Sequence, residues 1–195
     1  MIMGDYMDIK EVEYKVHNSF NHQKWVIETQ LPNWKDTVQY WNNATDLTNV
    51  DETASNNAVQ VYFKDDEGTE LATHLRNYTN ALLEDIGAPV RAGELKIAWT
   101  LEYFSGGWQA IHNHAEQFRA ISCVLCIEGQ EDSGVFYAML PETDGTQNIV
   151  TIEQTPGTLI ISEGDVWHGA YPCTVGKKVY VFDFKQEILH YDTKN

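Results

Sequence analysis

The sequence predicts a mainly β fold, a jelly roll (double-stranded β-helix) with N-terminal α-helices packed on one sheet. Two observations predict it. From residue 95 to 186 the chain is a succession of short β-type runs separated by Gly, Pro, Asp and Asn, the pattern of a sandwich or barrel. Before them lies an amphipathic run at helical spacing, and a long helix lying on one sheet of a jelly roll accommodates both halves. The chain is therefore read as one domain over residues 1–195, with 1–94 as helical and strand support and 95–186 as the β core.

The elements follow in order. Met1 to Val16 is expected to contain one strand. Asn33 to Asn42 reads as a helix with Trp34, Val38 and Trp41 on one side. Thr48 to Asn57 is polar and reads as a loop. Ala58 to Phe63 alternates Val59, Val61 and Phe63 against Gln60 and Tyr62, a half-buried strand. Asp65, Asp66 and Glu67 offer capping carboxylates to the next helix. That helix runs from Glu70 to Ile86, where Leu71, Leu75, Tyr78, Leu82 and Ile86 recur at helical spacing and Gly87 follows as a C-cap. Then Leu95, Ile97, Trp99, Leu101 and Tyr103 alternate with Lys96, Ala98, Thr100 and Glu102, and Gly106-Gly107 reads as a turn. Further strands are expected at Ala110–His114, Ala120–Ile127, Val135–Met139, Asn148–Glu153, Gly157–Ser162 and Lys178–Phe184.

Composition narrows the function. The 29 acidic and 13 basic side chains give a formal charge of −16. Such a surface does not grip phosphates by counterion release and repels an anionic bilayer, so neither nucleic acid nor membrane is expected as a partner. No apolar run approaches the roughly 20 residues of a membrane helix. Met1 to Lys10 carries acids and no apolar core, unlike a secretory signal. Three cysteines imply no disulfide framework, so a reducing, cytoplasmic setting is expected. Cys123 and Cys126 form a C-x-x-C, but on a strand they point to opposite faces and read as inert buried thiols.

The histidines carry the chemistry. His17, His22, His74 and His190 sit in polar, unpatterned settings and read as surface residues. His112-Asn113-His114 places two imidazoles at i and i+2, which share a face of a strand and can chelate one metal ion. His168 follows a strand and a tight acidic turn. In a jelly roll a late strand runs beside an early one, so His168 can complete a facial triad. A surface pair and a structural histidine are the plain alternative. The letters of His112 to His114 also match a nuclease label, which the charge argues against.

Here the sequence resembles a family. Tyr103-x-x-Gly106-x-x-Gln109-x-x-His112-x-His114 follows the Y-x-x-G-x-x-Y-x-x-H-x-D spacing of the prolyl-hydroxylase-like branch of the iron(II)/2-oxoglutarate-dependent oxygenases. Arg119 to Ile127 resembles the strand after it, Ser133 to Pro141 the G-G-x-L strand, Pro156 to Ser162 the G-x-L strand, and His168 to Pro172 the distal H-x-V-x-P. The order of all five pieces, over about half the chain, carries the resemblance. A group within this superfamily has H-x-H where others have H-x-D, and this chain is most similar to that group.

The resemblance implies Fe(II) held by His112, His114 and His168, with 2-oxoglutarate as co-substrate and ascorbate as an optional auxiliary. It implies hydroxylation of a C–H bond in a peptide or small molecule, with 2-oxoglutarate decarboxylated to succinate. The far carboxylate of 2-oxoglutarate would meet a basic residue. Lys178 and Tyr180 share a face and reproduce the family's basic-x-hydroxyl pairing, with Lys177 in reserve. Tyr103 would lie next to the iron and hydrogen-bond the co-substrate. Three departures stand out: Gln109 replaces a Tyr, a Lys replaces the bidentate Arg, and His114 replaces the carboxylate ligand, leaving more net charge on the metal.

Trp108, Trp167, Tyr137 and Arg119 read as pocket wall or as ordinary packing and surface. Two rivals remain open. One is a cupin-like metalloenzyme that does not use 2-oxoglutarate; Gly106-x5-His112-x-His114 and Gly157-x10-His168 meet its spacings, but its first-motif Glu has no counterpart. The other is a non-catalytic jelly-roll binding or structural module. The sequence carries no signal for oligomeric state. The negative surface favours a neutral or cationic substrate.

Overall fold

The computed structural model describes residues 12–17, 24–36, 38, 50–51, 55–63, 69–114, 119–130 and 134–189. Its elements are β1 (Tyr14–His17), β2 (Val26–Gln30), β3 (Val50–Asp51), β4 (Ser55–Tyr62), α1 (Thr69–Asp85), β5 (Val90–His112), β6 (Ala120–Glu128), β7 (Val135–Pro141), β8 (Gln147–Glu153), β9 (Thr158–Glu163), β10 (Trp167–Ala170) and β11 (Lys177–Ile188). All pairings are antiparallel, in the order β1-β2-β9-β6-β11-β5-β10-β7-β8, with β4 also on β5 and β3 on β4. This is the jelly roll the sequence predicts.

The helix forms and ends for local reasons. Leu71, Leu75, Tyr78 and Leu82 line one face and are buried. Gly87 takes φ +69°, the Ala88 N–H donates to Leu83 O and the Gly87 N–H to Glu84 O, a Schellman ending that satisfies the last carbonyls. Its apolar face packs on Ile121, Cys123, Leu125, Ile161, Tyr180 and Phe182. Each buried leucine there stabilises by about 1.5–3 kcal/mol. A second core lies between the two sheets, where Trp99, Leu101, Val124, Val179 and Val181 meet Phe136, Ala138, Leu140 and Ile152. β6 is covered on both faces, which explains its unbroken apolar run from Ala120 to Ile127.

β5 links the two layers. Its 23 residues pair with β11 as far as Tyr103↔Lys177 and then with β10 at His112↔His168. Gly106-Gly107 was expected as a turn; instead it lies inside this continuous strand. Gly106 has φ +80° and donates to Cys173 O, while Cys173 donates back to Gly107 O. A Cβ on Gly107 would stand 2.6 Å from Asn57 O, so the corner requires a residue without one.

Other expectations change too. Thr48–Asn57 is not all loop, since it contains β3 and the start of β4. β10 was not among the expected strands. The stripe from Leu95 to Tyr103 breaks at a bulge: Asp183 pairs with Ile97 but Phe184 with Leu95, so Lys96 is an extra residue and Leu95 joins the helix-covered core. Cys123 and Cys126 lie in the two different cores, as alternation requires, and burial raises their thiols to about 12 and about 11. Trp34, Lys35, Asp36 and Val38 are helical. The rest of that expected helix, Asp65 to Glu67, His22, His190 and most of the first 16 residues lie outside the described residues. Among the described residues no helix is long and apolar enough to cross a membrane.

Candidate metal centre

The far end of the β5–β10 pair builds the site. His112 and His168 are register partners on adjacent strands. His114 lies just beyond β5, where its N–H donates to Gly164 O at 2.6 Å. Gly164 is itself tied down, donating to Ala120 O at 2.8 Å. The three ring centroids lie 4.4, 4.9 and 5.2 Å apart. One ligating nitrogen from each ring lies within 4.8 Å of the others, and the Nε2 atoms of His112 and His114 are 3.2 Å apart. Two nitrogens each about 2.1 Å from one ion at a right angle would stand about 3 Å apart.

The opposite ring nitrogens are occupied. His112 Nδ1 pairs with Ala110 O at 2.9 Å and His168 Nδ1 with Val166 O at 2.8 Å, the same i−2 contact on both strands. His114 Nδ1 pairs with Asp183 Oδ1 at 3.0 Å. A carbonyl or carboxylate at Nδ1 takes the N–H, which leaves the Nε2 lone pair for a metal. Burial is the main force that lowers the His112 and His168 pKa values, His168 well below its ordinary value, with help at His168 from its two neighbouring imidazoles. Both are therefore neutral near pH 7, the protonation state a metal ligand needs.

A small cavity lies behind the histidines. Trp99, Tyr103, Gln109, Phe136 and Gln154 help line it, and its free space is about 20 Å³, enough for one water. Trp99 stands 5.4 Å from the His114 ring, and its Nε1–H is buried and has no hydrogen-bond partner. A buried donor left unpaired is costly, so this wall calls for an acceptor oxygen. Three converging imidazoles and an orphan donor together fit an ion that carries an oxygen ligand.

The two lysines take opposite faces of β11. Val179 and Val181 lie in the core between the sheets, so the inner face of β11 holds Lys177, Val179, Val181 and Asp183. Lys178 and Tyr180 are on the other face. Tyr180 packs under the helix against Phe63, ring edge to face at 5.5 Å, and Lys178 is half-buried without lining the cavity. The alternation along β11 is the expected one; Lys178 and Tyr180 lie on its helix-covered side, whereas Lys177 meets Tyr103 of β5 on the inner side. Lys177 is 2% exposed, hydrogen-bonds Gln154 Oε1, and sits 4.8 Å over the Tyr103 ring. The Tyr103 hydroxyl donates to Gln109 Oε1 at 2.9 Å. Desolvation lowers Lys177 to about 8.

Sequence reasoning missed Asp183, Trp99 and Gln154. Asp183 had a signal, a lone acid in the apolar run Val179 to Phe184. Trp99 read as plain core, and Gln154 had no pattern at all. Trp108 and Trp167 are 37% and 47% exposed, Tyr137 makes a tilted ring contact with Tyr171, and Arg119 is exposed; none lines the cavity.

No protein-family model matches the chain, and no curated protein matches it. Solved structures do. A prolyl-4-hydroxylase from Pseudomonas putida aligns over 91% of this chain and 95% of its own, at 15% identity and a TM-score of 0.57. A 2OG-Fe(II) oxygenase family oxidoreductase from Burkholderia pseudomallei aligns over 81% and 84%, at 12% identity and a TM-score of 0.60. The viral collagen prolyl hydroxylase of Paramecium Bursaria Chlorella virus-1, solved as a 2OG complex, aligns over 90% and 96%, at 14% identity and a TM-score of 0.55. The chain has the fold of the 2-oxoglutarate- and iron(II)-dependent oxygenases, and its histidine cluster fits a metal ion.

Proposed function

We propose that this protein is a non-haem Fe(II)- and 2-oxoglutarate-dependent oxygenase that hydroxylates a C–H bond of a peptide or small molecule and converts 2-oxoglutarate to succinate. The observation that carries this reading is the convergence of three imidazoles whose Nδ1 atoms are already engaged, in the fold these oxygenases use. His112, His114 and His168 would hold the iron. Bound there, the iron would supply Lewis acidity toward the keto acid and a place for dioxygen to react.

The chain's own residues do the rest. Tyr103 lines the cavity and Lys177 lies just behind it, over the Tyr103 ring and bonded to Gln154; the two would take the far carboxylate of 2-oxoglutarate, an ammonium and a neutral donor for one anion. Trp99 Nε1–H would donate to an oxygen near the metal. Phe136, stacked on the His168 ring at 5.3 Å, holds that ligand in place and keeps water out. Ascorbate is an auxiliary reductant in this reading. The acidic surface favours a neutral or cationic substrate, and the buried free thiols suit a reducing cytoplasm. We take residues 1–195 as one domain.

The test is optical. Anaerobic addition of Fe(II) and 2-oxoglutarate should give the visible charge-transfer band of the chelate, and His168→Ala should abolish it. No band, with unchanged metal affinity in His168→Ala, would sink the reading.

One observation favours a second reading. The cavity holds about one water, so 2-oxoglutarate enters only if the Lys177–Gln154 and Tyr103–Gln109 hydrogen bonds part. A cupin-like metalloenzyme acting on a smaller ligand needs no such opening. Metal binding with no spectral response to 2-oxoglutarate would favour it.

A further inference from the structure

The chain lacks the carboxylate ligand that the H-x-D pattern would put at position 114, yet the site does not lack a carboxylate. Asp183 is 3% exposed and is the one acidic side chain fully buried among the described residues. Its two oxygens stand 3.0 and 2.9 Å from His114 Nδ1. Among the described residues His114 is its sole ion-pair partner. Ser122, its register neighbour on β6, places Oγ 3.3 Å from the same nitrogen. His112 and His168 use backbone carbonyls at the equivalent position, so His114 alone is backed by a charge.

A buried carboxylate is tolerated only with a strong partner, and removing that partner is heavily destabilising. A neutral imidazole is a poor partner on its own. An imidazole bound to a dication is a good one, because its N–H is then polarised toward the carboxylate. The carboxylate in turn makes the imidazole a stronger donor to the metal. We propose that Asp183 is a positioning residue that returns to the metal centre, through His114, the negative charge lost when a histidine replaced the carboxylate ligand. As metal ligands, three histidines backed by one buried carboxylate would carry the same charge as two histidines and one ligating carboxylate. The charge has moved outward by the width of an imidazole ring.

This inference rests on the metal-site reading, and the experiment separates the two. Titrate Co(II) into metal-free protein and follow both affinity and the visible d–d bands. Asp183→Asn keeps the shape and an acceptor for Nδ1–H but removes the charge. It should lower Co(II) affinity by about 10–100-fold, the usual effect of removing an outer-shell partner, and shift the bands.

A charge swap excludes a merely structural role. His114→Asp supplies the charge at the ligand itself and removes the imidazole through which Asp183 acts. Adding Asp183→Asn to it should therefore change Co(II) affinity and the d–d bands much less than the same change does in the wild type. A structural Asp183 would weaken both backgrounds alike, and an equal loss in the two overturns the proposal. So does an Asp183→Asn affinity within threefold of wild type. Wild type that binds no Co(II) overturns the metal-site reading itself and this inference with it.

Discussion

The two faces of β11 make opposite uses of one strand. Tyr180, Phe182 and Phe184 point to the helix-covered core, which is mostly apolar and whose buried polar groups, such as Thr79 beside Cys123 and Thr29 beside Tyr78, are uncharged. Lys177, Val179, Val181 and Asp183 point between the sheets, where the buried ammonium, the buried carboxylate and the buried His168 all lie. Apolar contacts on the outer face stabilise the sheet without partners of fixed geometry. The inner face holds groups that are costly to bury, and each is matched to a specific neighbour. Stability and chemistry are thus separated by a single residue step, and Lys177 and Lys178 fall on its two sides.

That separation can be broken on purpose. The largest effect is expected on the outer side. Leu82→Ala, at a site with no exposed surface, should cost about 2–5 kcal/mol by chemical denaturation, with Co(II) affinity of the folded fraction unchanged. Altered affinity would mean that the two faces are coupled.

On the inner side the sign reverses. Burial depresses Lys177 from 10.5 to about 8, so the folded state binds fewer protons than the unfolded state between those values. Stability therefore rises with pH across that window. Below pH 8 the burial penalty is fully present, on the order of 3 kcal/mol by the size of the shift. Lys177→Met should then raise the melting temperature at pH 7, with the gain shrinking toward pH 10.5. The same variant should lose its response to 2-oxoglutarate, and wild-type 2-oxoglutarate affinity should weaken as pH rises above 8. A pH-independent stability gain would contradict a buried charge.

The smallest effects sharpen the assignment of faces. Lys178→Ala should change stability by no more than about 0.5 kcal/mol and leave 2-oxoglutarate binding intact. A loss of binding in Lys178→Ala but not in Lys177→Met would restore the original pairing with Tyr180.

What could be read from sequence divides along a similar line. Local patterns revealed the helix with its Gly87 cap, the strands β6 to β9 and β11, and the i, i+2 pair His112 and His114, since each depends on neighbours a few residues away. The misread features depend on distant ones. Gly106-Gly107 has the composition of a hairpin, and only the approach of Asn57 and Cys173 makes it a corner within one strand. β10 is four residues long and exists because β5 and β7 flank it. Leu95 changes face at a bulge visible only in the register with β11. Asp183 matters because the chain leaving β5 brings His114 against Gly164, Ser122 of β6 and Asp183 of β11, a fact of topology rather than of pattern.

The pairing of His112 with His168 has a further consequence, for folding. No hairpin links β5 to β10; β6 to β9 intervene, so the ligands meet only after long-range strands have paired, which is slow. An ion shared by those histidines would act as a removable cross-link. It would close a long loop of chain and favour the folded state by mass action. The resistance of the β5–β10 junction to opening would then follow the free metal concentration around the protein.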